Sequence, residues 1–152
     1  MEIETKLEFK DYRKLVFICT YRNLIIIVLT LVFFIICIWN FNIASLLSFL
    51  LYFSILQIII HFSAKKHYTT NKALQEKIIY EFTDDKILIK GETFYSEFYW
   101  EKIYLIEELK DFILIYQSNS TANIISKKSF GNQIKEFRNS VKHKSIKTKF
   151  LK

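Results

Sequence analysis

The stretch LIIIVLTLVFFIICIWNFNIASLLSFLLYFSILQIIIHF, residues 24–62, decides the fold of this chain. Its 39 residues contain no Asp, Glu, Lys or Arg, so every charged side chain lies outside it. The polar run Asn40-Phe41-Asn42 suits a tight turn and divides the stretch into arms 24–39 and 43–62. The 20 residues of the second arm can cross a bilayer as a helix. The first arm has 16 residues, about 24 Å of helix, and needs Tyr21 to Asn23 or local thinning of the bilayer. The pattern predicts a transmembrane helical hairpin.

Basic residues flank this hairpin on both sides and are absent from its turn. Before and after it lie Arg13, Lys14, Arg22, Lys65, Lys66 and Lys72. The positive-inside rule therefore predicts that both termini are cytoplasmic. A cleaved signal peptide is disfavoured, because the apolar segment starts at residue 24, has no small-x-small cleavage site and is followed by a second arm. A buried core hairpin of a soluble protein remains the alternative.

The second arm carries polar residues on two faces. Ser45, Ser48 and Tyr52 share one helical face, and Ser54, Gln57 and His61 share roughly the opposite one. Such side chains commonly hydrogen-bond between helices, so we predict intramembrane contacts, within the hairpin or with a second copy, at Ser45, Ser48, Tyr52 and Gln57. A polar path for an ion is disfavoured because the hairpin has no carboxylate and no Arg.

The composition outside the hairpin is that of a small folded domain. Of 152 residues, 17% are aromatic and Ile is abundant, which excludes a disordered chain, and the net charge is +7. Only two cysteines are present, Cys19 and the intra-hairpin Cys37, which excludes a disulfide scaffold. Zero Pro and two Gly exclude linker-rich and Gly-loop nucleotide-binding designs.

The residues before the hairpin predict a strand and a short helix. Residues 2–9 alternate between charged side chains and uncharged ones, Ile3, Thr5, Leu7 and Phe9, as in a half-buried strand. Residues 12–21 have apolar positions at helical spacing. Because an isolated strand is not stable, we expect strand 2–9 to pair with strands that follow the hairpin. The hairpin would then be an insertion into one cytoplasmic domain.

The second half predicts an antiparallel meander closed by a helix. Its short β-branched and aromatic runs are 78–82, 86–90, 93–99, 103–107, 112–117 and 123–126. Phe130, Ile134, Phe137 and Val141 then line one helical face, with Asn132 as its cap. We expect one curved sheet of five to seven strands, an architecture like that of pleckstrin-homology (PH) domains.

The fold class is therefore an α+β membrane protein, in which a two-helix hairpin is inserted into a small PH-like domain. The predicted divisions are 1–23 (strand and helix), 24–62 (hairpin), 63–77 (connector), 78–142 (β domain with C-terminal helix) and 143–152 (basic tail).

Several landmarks of the second half resemble a known family. They are Tyr80-x-Phe82-Thr-Asp-Asp-x-Ile87, Trp100-x-x-Ile103 with Glu107, Leu114-x-Tyr116, Ile124-Ile125-x-Lys127-x-x-Phe130 and Phe137. This pattern is similar to the C-terminal domain of YcxB-like bacterial membrane proteins, and the order of strand, helix, hairpin and β domain matches as well. Ser126 stands where family members often have Pro. The resemblance implies a bacterial inner-membrane location and a PH-like fold, and it implies no reaction.

The sequence nominates no catalytic residue, cofactor or metal ligand. His61, His67 and His143 are scattered, with no Cys at metal-ligand spacing. The adjacent acids Asp84-Asp85 and Glu107-Glu108 are expected to be solvated. We therefore expect no enzymatic activity.

The C-terminal segment is strongly basic. Its cations include Lys142, Lys144, Lys147, Lys149 and Lys152. They predict binding to anionic lipid headgroups, with Phe150 and Leu151 as shallow anchors. A solvated, frayed tail is the alternative. Nucleic-acid binding is disfavoured, because the predicted tether holds the domain at a membrane surface of the same charge sign.

Three function classes remain open from the sequence. The favoured one is a non-enzymatic membrane-anchored interaction module that binds a cytoplasmic or membrane protein, a peptide or a lipid headgroup. The second is an immunity protein that protects against a toxin or bacteriocin. The third is a holin-like or channel-forming protein, which is disfavoured because the folded β domain exceeds what such a protein needs.

Overall fold

A computed structural model describes residues 1–144 and 146–151 of the chain. Within these residues it has an α+β fold with four α-helices and two four-stranded sheets. The helices are α1 (Phe9–Tyr21), α2 (Leu24–Trp39), α3 (Ile43–Thr70) and α4 (Ile134–Lys142). The strands are β1 (Glu2–Lys6), β2 (Lys77–Phe82), β3 (Lys86–Lys90), β4 (Tyr95–Tyr99), β5 (Leu105–Glu108), β6 (Phe112–Tyr116), β7 (Ala122–Ser126) and β8 (Thr148–Lys149). Two compact units result: a helical unit, residues 8–71, and a β unit formed by residues 1–7 and the chain from Lys72 onward.

The two long apolar helices of the helical unit start at asparagine caps. The side chain of Asn23 accepts a hydrogen bond from Ile25 N at 2.9 Å. Asn42 and Ser45 cap each other reciprocally at the start of α3, which explains why the predicted break lies at Asn40 to Asn42. Helix α2 has the predicted bounds, whereas α3 continues past the predicted end at Phe62 to Thr70. The residues between Phe62 and Thr70 include no Gly or Pro that would end the helix earlier.

Strand β1 is shorter than predicted, and α1 starts earlier. The chain turns helical at Phe9, whose ring centroid lies 5.7 Å from that of His61 and 5.6 Å from that of Tyr68. Phe9 thus packs in the helical unit, although its spacing places it on the apolar face of the predicted strand.

The predicted pairing of the first strand with strands after the hairpin is confirmed. Strand β1 pairs antiparallel with β2, from Glu2 opposite Glu81 to Lys6 opposite Lys77. Ile3 on its inner face is 2% exposed and belongs to the core of the β unit. The hairpin therefore lies, in sequence, between two paired strands.

The strands form two sheets, and the expectation of one curved sheet is wrong. The orders are β1-β2-β3-β4 and β7-β6-β5-β8. The chain leaves the first sheet through a short 3₁₀ turn, Trp100–Lys102, where Trp100 is buried and its indole donates to Thr83 O at 2.9 Å. All pairs are antiparallel except that of β8 with β5, which is parallel.

Helix α4 covers the core of the β unit. Phe137 and Val141 are completely buried, and the Phe137 ring lies 5.1 Å from the rings of both Phe82 and Phe130. The helix begins at Ile134 with no side-chain cap, so the predicted cap at Asn132 is wrong. Residues 127–133 form a 3₁₀ segment that breaks at Gly131, whose φ is +48°.

Candidate functional site

The apolar helices of the helical unit bury little within the chain. No residue of α2 is buried, and in the most apolar 18-residue window of α3 only 6% of residues are. Among the described residues α3 is the helix long and apolar enough to cross a membrane, with a mean hydropathy of 2.3 over that window. Helices α1 and α2, which meet at a bend of 66°, pass the same test if they are taken together as one span. The protein thus has one or two helices with the length and composition of a membrane span.

Polar side chains of α3 make both local and interhelical contacts. Tyr52 hydrogen-bonds to Thr30 of α2 at 2.9 Å, and Gln57 Nε2 donates to the hydroxyl of Tyr21 in α1 at 3.0 Å. The Ser45 hydroxyl caps α3 itself, and the Ser48 hydroxyl donates to the Ser45 carbonyl at 2.8 Å. The Ser48 hydroxyl also lies 4.0 Å from Cys37 Sγ of α2. Of the four predicted contact residues, the structure therefore places Ser48, Tyr52 and Gln57 in contact with another helix, whereas the Ser45 hydroxyl is used within α3.

The C-terminal segment packs against the β unit. Thr148 and Lys149 form β8 beside Ile106 and Glu107, while Ile146 and Phe150 pack against the core. Phe150 is thus partly buried in the β unit, whereas Leu151 is exposed. The alternative prediction of a solvated, frayed tail is therefore wrong for the described part of this segment.

The basic residues predicted to meet the membrane have different surroundings. Lys142, Lys147 and Lys149 are exposed. Lys144 donates to the backbone carbonyl of Asp84, and its ammonium lies 5.8 Å from the ring centroid of Trp100. Lys152 lies outside the described residues. Three of the five cations are therefore directed to solvent.

A buried carboxylate joins three segments of the β unit. Glu108 at the end of β5 accepts hydrogen bonds from Lys127 Nζ at 2.5 Å and from Arg138 Nε and Nη2 at 2.9 and 2.5 Å. Burial raises the pKa of Glu108, but the hydrogen bonds from Arg138 and Lys127 outweigh it, so the pKa lies below its ordinary value. The bonds to Glu108 raise the pKa of Arg138 in turn.

The expectation that Glu107 and Glu108 are solvated is wrong. They are 7% and 2% exposed, because every residue of β5 is buried. Neighbours on a strand do face opposite ways, but here both faces of the strand are covered. Asp84 and Asp85, in contrast, are exposed as expected. A run of four buried residues cannot be recognised from alternation alone, so sequence reasoning missed the ion triad.

A groove with several charged lining residues lies beside Trp100 in the β unit. Its volume is about 610 Å³, and we call it the Trp100 groove. Its lining residues are Asp84, Asp85, Tyr99, Trp100, Glu101, His143, Lys144 and Ile146. The lining has three carboxylates and two basic side chains, Lys144 and His143. The Lys144 ammonium already donates a hydrogen bond to the backbone carbonyl of Asp84. The groove therefore offers exposed acidic side chains beside the exposed Tyr99.

The described residues hold no group of three or more His, Cys, Asp or Glu side chains arranged to bind a metal ion. The structure offers instead a β unit with acidic residues in the groove beside Trp100, and helices whose apolar side chains are exposed.

Comparison with known proteins supports the resemblance noted in the sequence. Residues 82–139 match the model of the family described as YcxB-like protein. This segment runs from the end of β2 to the middle of α4 and includes Glu108, Lys127 and Arg138. The YcxB-like resemblance is thus confirmed for the β unit. Neither a curated protein nor a solved structure matches the chain.

Proposed function

We propose that this protein is a non-enzymatic, membrane-anchored interaction module. Helices α2 and α3 cross a bacterial inner membrane as a hairpin, both termini are cytoplasmic, and the PH-like β unit binds a partner in the cytoplasm. The observation that carries this proposal is the exposure of large apolar side chains along both helices. It includes positions at the turn between them, where Trp39 and Phe41 are 87% and 82% exposed.

An uncovered apolar surface of this extent is unfavourable in water. Burying apolar surface stabilises by about 25 cal/mol per Å², and monomeric soluble proteins rarely expose contiguous apolar patches above a few hundred Å². A bilayer covers both helices along their length, and their backbone groups are already satisfied within the helices. The uncharged turn and the flanking Lys and Arg residues support the cytoplasmic location of both ends.

The architecture of the β unit supports a PH-like interaction domain. Seven strands of a meander, divided between two sheets, are closed by a C-terminal helix. The Trp100 groove is the surface best suited to a partner, because a protein or peptide segment with a basic side chain can meet Asp84, Asp85 and Glu101 while it packs on Tyr99. The orientation of the Trp100 ring is fixed in part by its hydrogen bond to Thr83 O.

Two measurements test the proposal. First, the full-length protein should remain in the membrane pellet after alkaline carbonate extraction, and release into the supernatant would contradict the anchor.

Second, a photo-crosslinking amino acid in place of Tyr99 should capture a defined partner in native membranes. The same amino acid in place of Tyr104, which is similarly exposed but does not line the groove, is the matched control. A partner captured at Tyr99 should be lost in the Asp84→Asn/Asp85→Asn variant. Equal capture at both positions would contradict a role for the groove.

A further inference from the structure

Strand β4 is an edge strand of the first sheet. The sheet order is β1-β2-β3-β4, and among the described residues no strand pairs with the side of β4 that faces away from β3. In the second sheet, by contrast, β8 covers the edge of β5. Proteins commonly protect an open edge with Lys, Pro or a bulge. The sequence of β4, Tyr-Ser-Glu-Phe-Tyr, has no Lys and no Pro, and its register with β3 is continuous. The β4 edge therefore lacks these protections.

The hydrogen-bonding groups on the β4 edge belong to alternate residues. At one end of the β3–β4 pair Gly91 N donates to Phe94 O at 2.9 Å, and at the other end Trp100 N donates to Asp85 O at 3.2 Å. Hydrogen-bonded and non-hydrogen-bonded pairs alternate along an antiparallel ladder, so the backbone groups of the even-numbered residues 94–100 face β3. The residues whose N–H and C=O groups face away from β3 are Tyr95, Glu97 and Tyr99.

The two faces of this edge differ in chemical character. Tyr95 and Tyr99 have exposed side chains on the solvent face of the sheet. Glu97 lies between them on that face and pairs with Lys86 at 2.7 Å. On the opposite face Phe98 is partly buried and packs against the core. A strand added beside β4 would therefore meet polar groups on one face and an apolar side chain on the other.

Acidic side chains concentrate where β4 reaches the Trp100 groove. Asp84, Asp85 and Glu101 line the groove beside Tyr99, and all three are exposed. A second copy of β4 fits this edge poorly, because centred antiparallel pairing would put Glu97 opposite its own copy, and like charges in opposite positions are destabilising. The acidic end of the edge instead favours a strand that carries Lys or Arg side chains.

We propose that the β4 edge and the Trp100 groove together bind an extended segment of a partner protein in which basic and apolar residues alternate. The segment adds antiparallel to β4, with its basic side chains on the face of the groove carboxylates and its apolar side chains beside Phe98. Backbone hydrogen bonds to an exposed edge supply affinity, and alternate side chains supply specificity. Opposite residues of an antiparallel pair share a face, so the N–H groups that bond to β4 belong to the basic residues. This inference rests on the proposed function of the Trp100 groove.

The test measures the fluorescence anisotropy of a labelled peptide of three Lys-Val repeats, titrated with the full-length protein in neutral detergent at low salt. N-methylation of the backbone nitrogens of two Lys residues removes two hydrogen bonds and should weaken binding about 30-fold. The matched control is N-methylation of two Val residues, whose N–H groups point away from β4, and it should weaken binding less than about threefold.

Two pairs of protein variants locate the bound peptide. Tyr95→Pro removes an N–H that does not bond to β3 and should weaken binding about tenfold, whereas Tyr95→Val keeps the N–H and should weaken it less than about threefold. Asp84→Asn/Asp85→Asn should weaken binding about fivefold. Its matched control is Glu2→Gln/Glu4→Gln, which removes two exposed carboxylates from the opposite edge strand and should leave binding unchanged.

The outcomes separate strand addition from the function of the groove. Equal weakening by Lys and Val methylation would overturn strand addition, while a loss in the Asp84→Asn/Asp85→Asn variant would still support the groove. This comparison alters only the peptide, so it decides the question even if Tyr95→Pro perturbs the fold. No binding of the Lys-Val peptide would overturn the alternating basic chemistry of the partner. A dimer in detergent that Tyr95→Pro converts to a monomer would assign the edge to a second copy and would overturn the proposal.

Discussion

Replacing Glu108 with Ala should strongly destabilise the β unit. The substitution removes the acceptor that Lys127 and Arg138 share. The Glu108 side chain has no exposed surface, whereas the side chains of Lys127 and Arg138 are 22% and 33% exposed. Removing one partner of a buried ion pair costs about 3–5 kcal/mol. Because both cations retain a path to water, we expect the lower end of that range, about 3 kcal/mol.

The assay is denaturant unfolding of the full-length protein in detergent, followed by the fluorescence of Trp100. The chain has two tryptophans, so a Trp39→Phe background leaves the buried indole of Trp100 as the reporter of the β unit. A lower midpoint with an unchanged slope would report lost stability rather than a changed unfolded state.

The matched control for this prediction is Glu97→Ala. Glu97 pairs with Lys86 at 2.7 Å on the surface, where its side chain is 42% exposed. Exposed pairs contribute little because water and salt screen them. Equal destabilisation by the Glu108 and Glu97 substitutions would refute the argument that burial makes the Glu108 triad a major stabilising contact.

Three further predictions use the same fluorescence assay. Ile3→Ala should lower the free energy of unfolding of the β unit by about 2–4 kcal/mol, because Ile3 is 2% exposed in the core. Substitution of the exposed Glu2 by Ala should not lower it. If Ile3→Ala lowered stability no more than Glu2→Ala does, β1 would lie outside the folded unit. The pKa of Glu108 is lowered on folding, so its ionised carboxylate stabilises the fold above the ordinary pKa of 4.5, and this contribution is lost as the pH falls through the lowered pKa. The difference in stability between wild type and Glu108→Gln should therefore shrink on acidification. A difference that stays constant with pH would contradict an ionised Glu108. Gly131→Ala should lower the free energy of unfolding by about 1 kcal/mol, because the φ of Gly131 is +48° and an alanine there would be strained. No atom stands within 4 Å of an added Cβ, so a steric clash would not contribute. A neutral substitution would contradict this backbone argument.

Features governed by local pattern could be predicted from the sequence. Helix α2 has the predicted bounds because its residues are uniformly apolar and asparagines cap both it and the next helix. Strand β3 also matches its predicted range, since turn residues flank an alternating run. The pairing of β1 with β2 followed from a physical requirement, because the alternating strand had no local partner.

Features that depend on contacts distant in sequence could not be predicted. Strand β8 has two residues with no alternation to detect, and its parallel pairing with β5 depends on Ile146 and Phe150 packing against the core. The Glu108 triad joins residues 19 and 30 positions apart in sequence. Its presence depends on both faces of β5 being covered, which spacing within the strand does not reveal. The helical conformation of Phe9 could not be predicted either, because its ring packs against rings of α3 that are distant in sequence.

The central claim is that the α2–α3 hairpin crosses the membrane and leaves the β unit in the cytoplasm. Single-cysteine labelling with a membrane-impermeant maleimide tests it most directly, in a background where Cys19 and Cys37 are replaced by Ser. The Phe41→Cys variant, at the exposed turn between α2 and α3, should label from outside intact cells. The Glu101→Cys variant, in the Trp100 groove, should label only after the inner membrane is permeabilised. Labelling of both positions from the same side of the intact membrane would contradict the account.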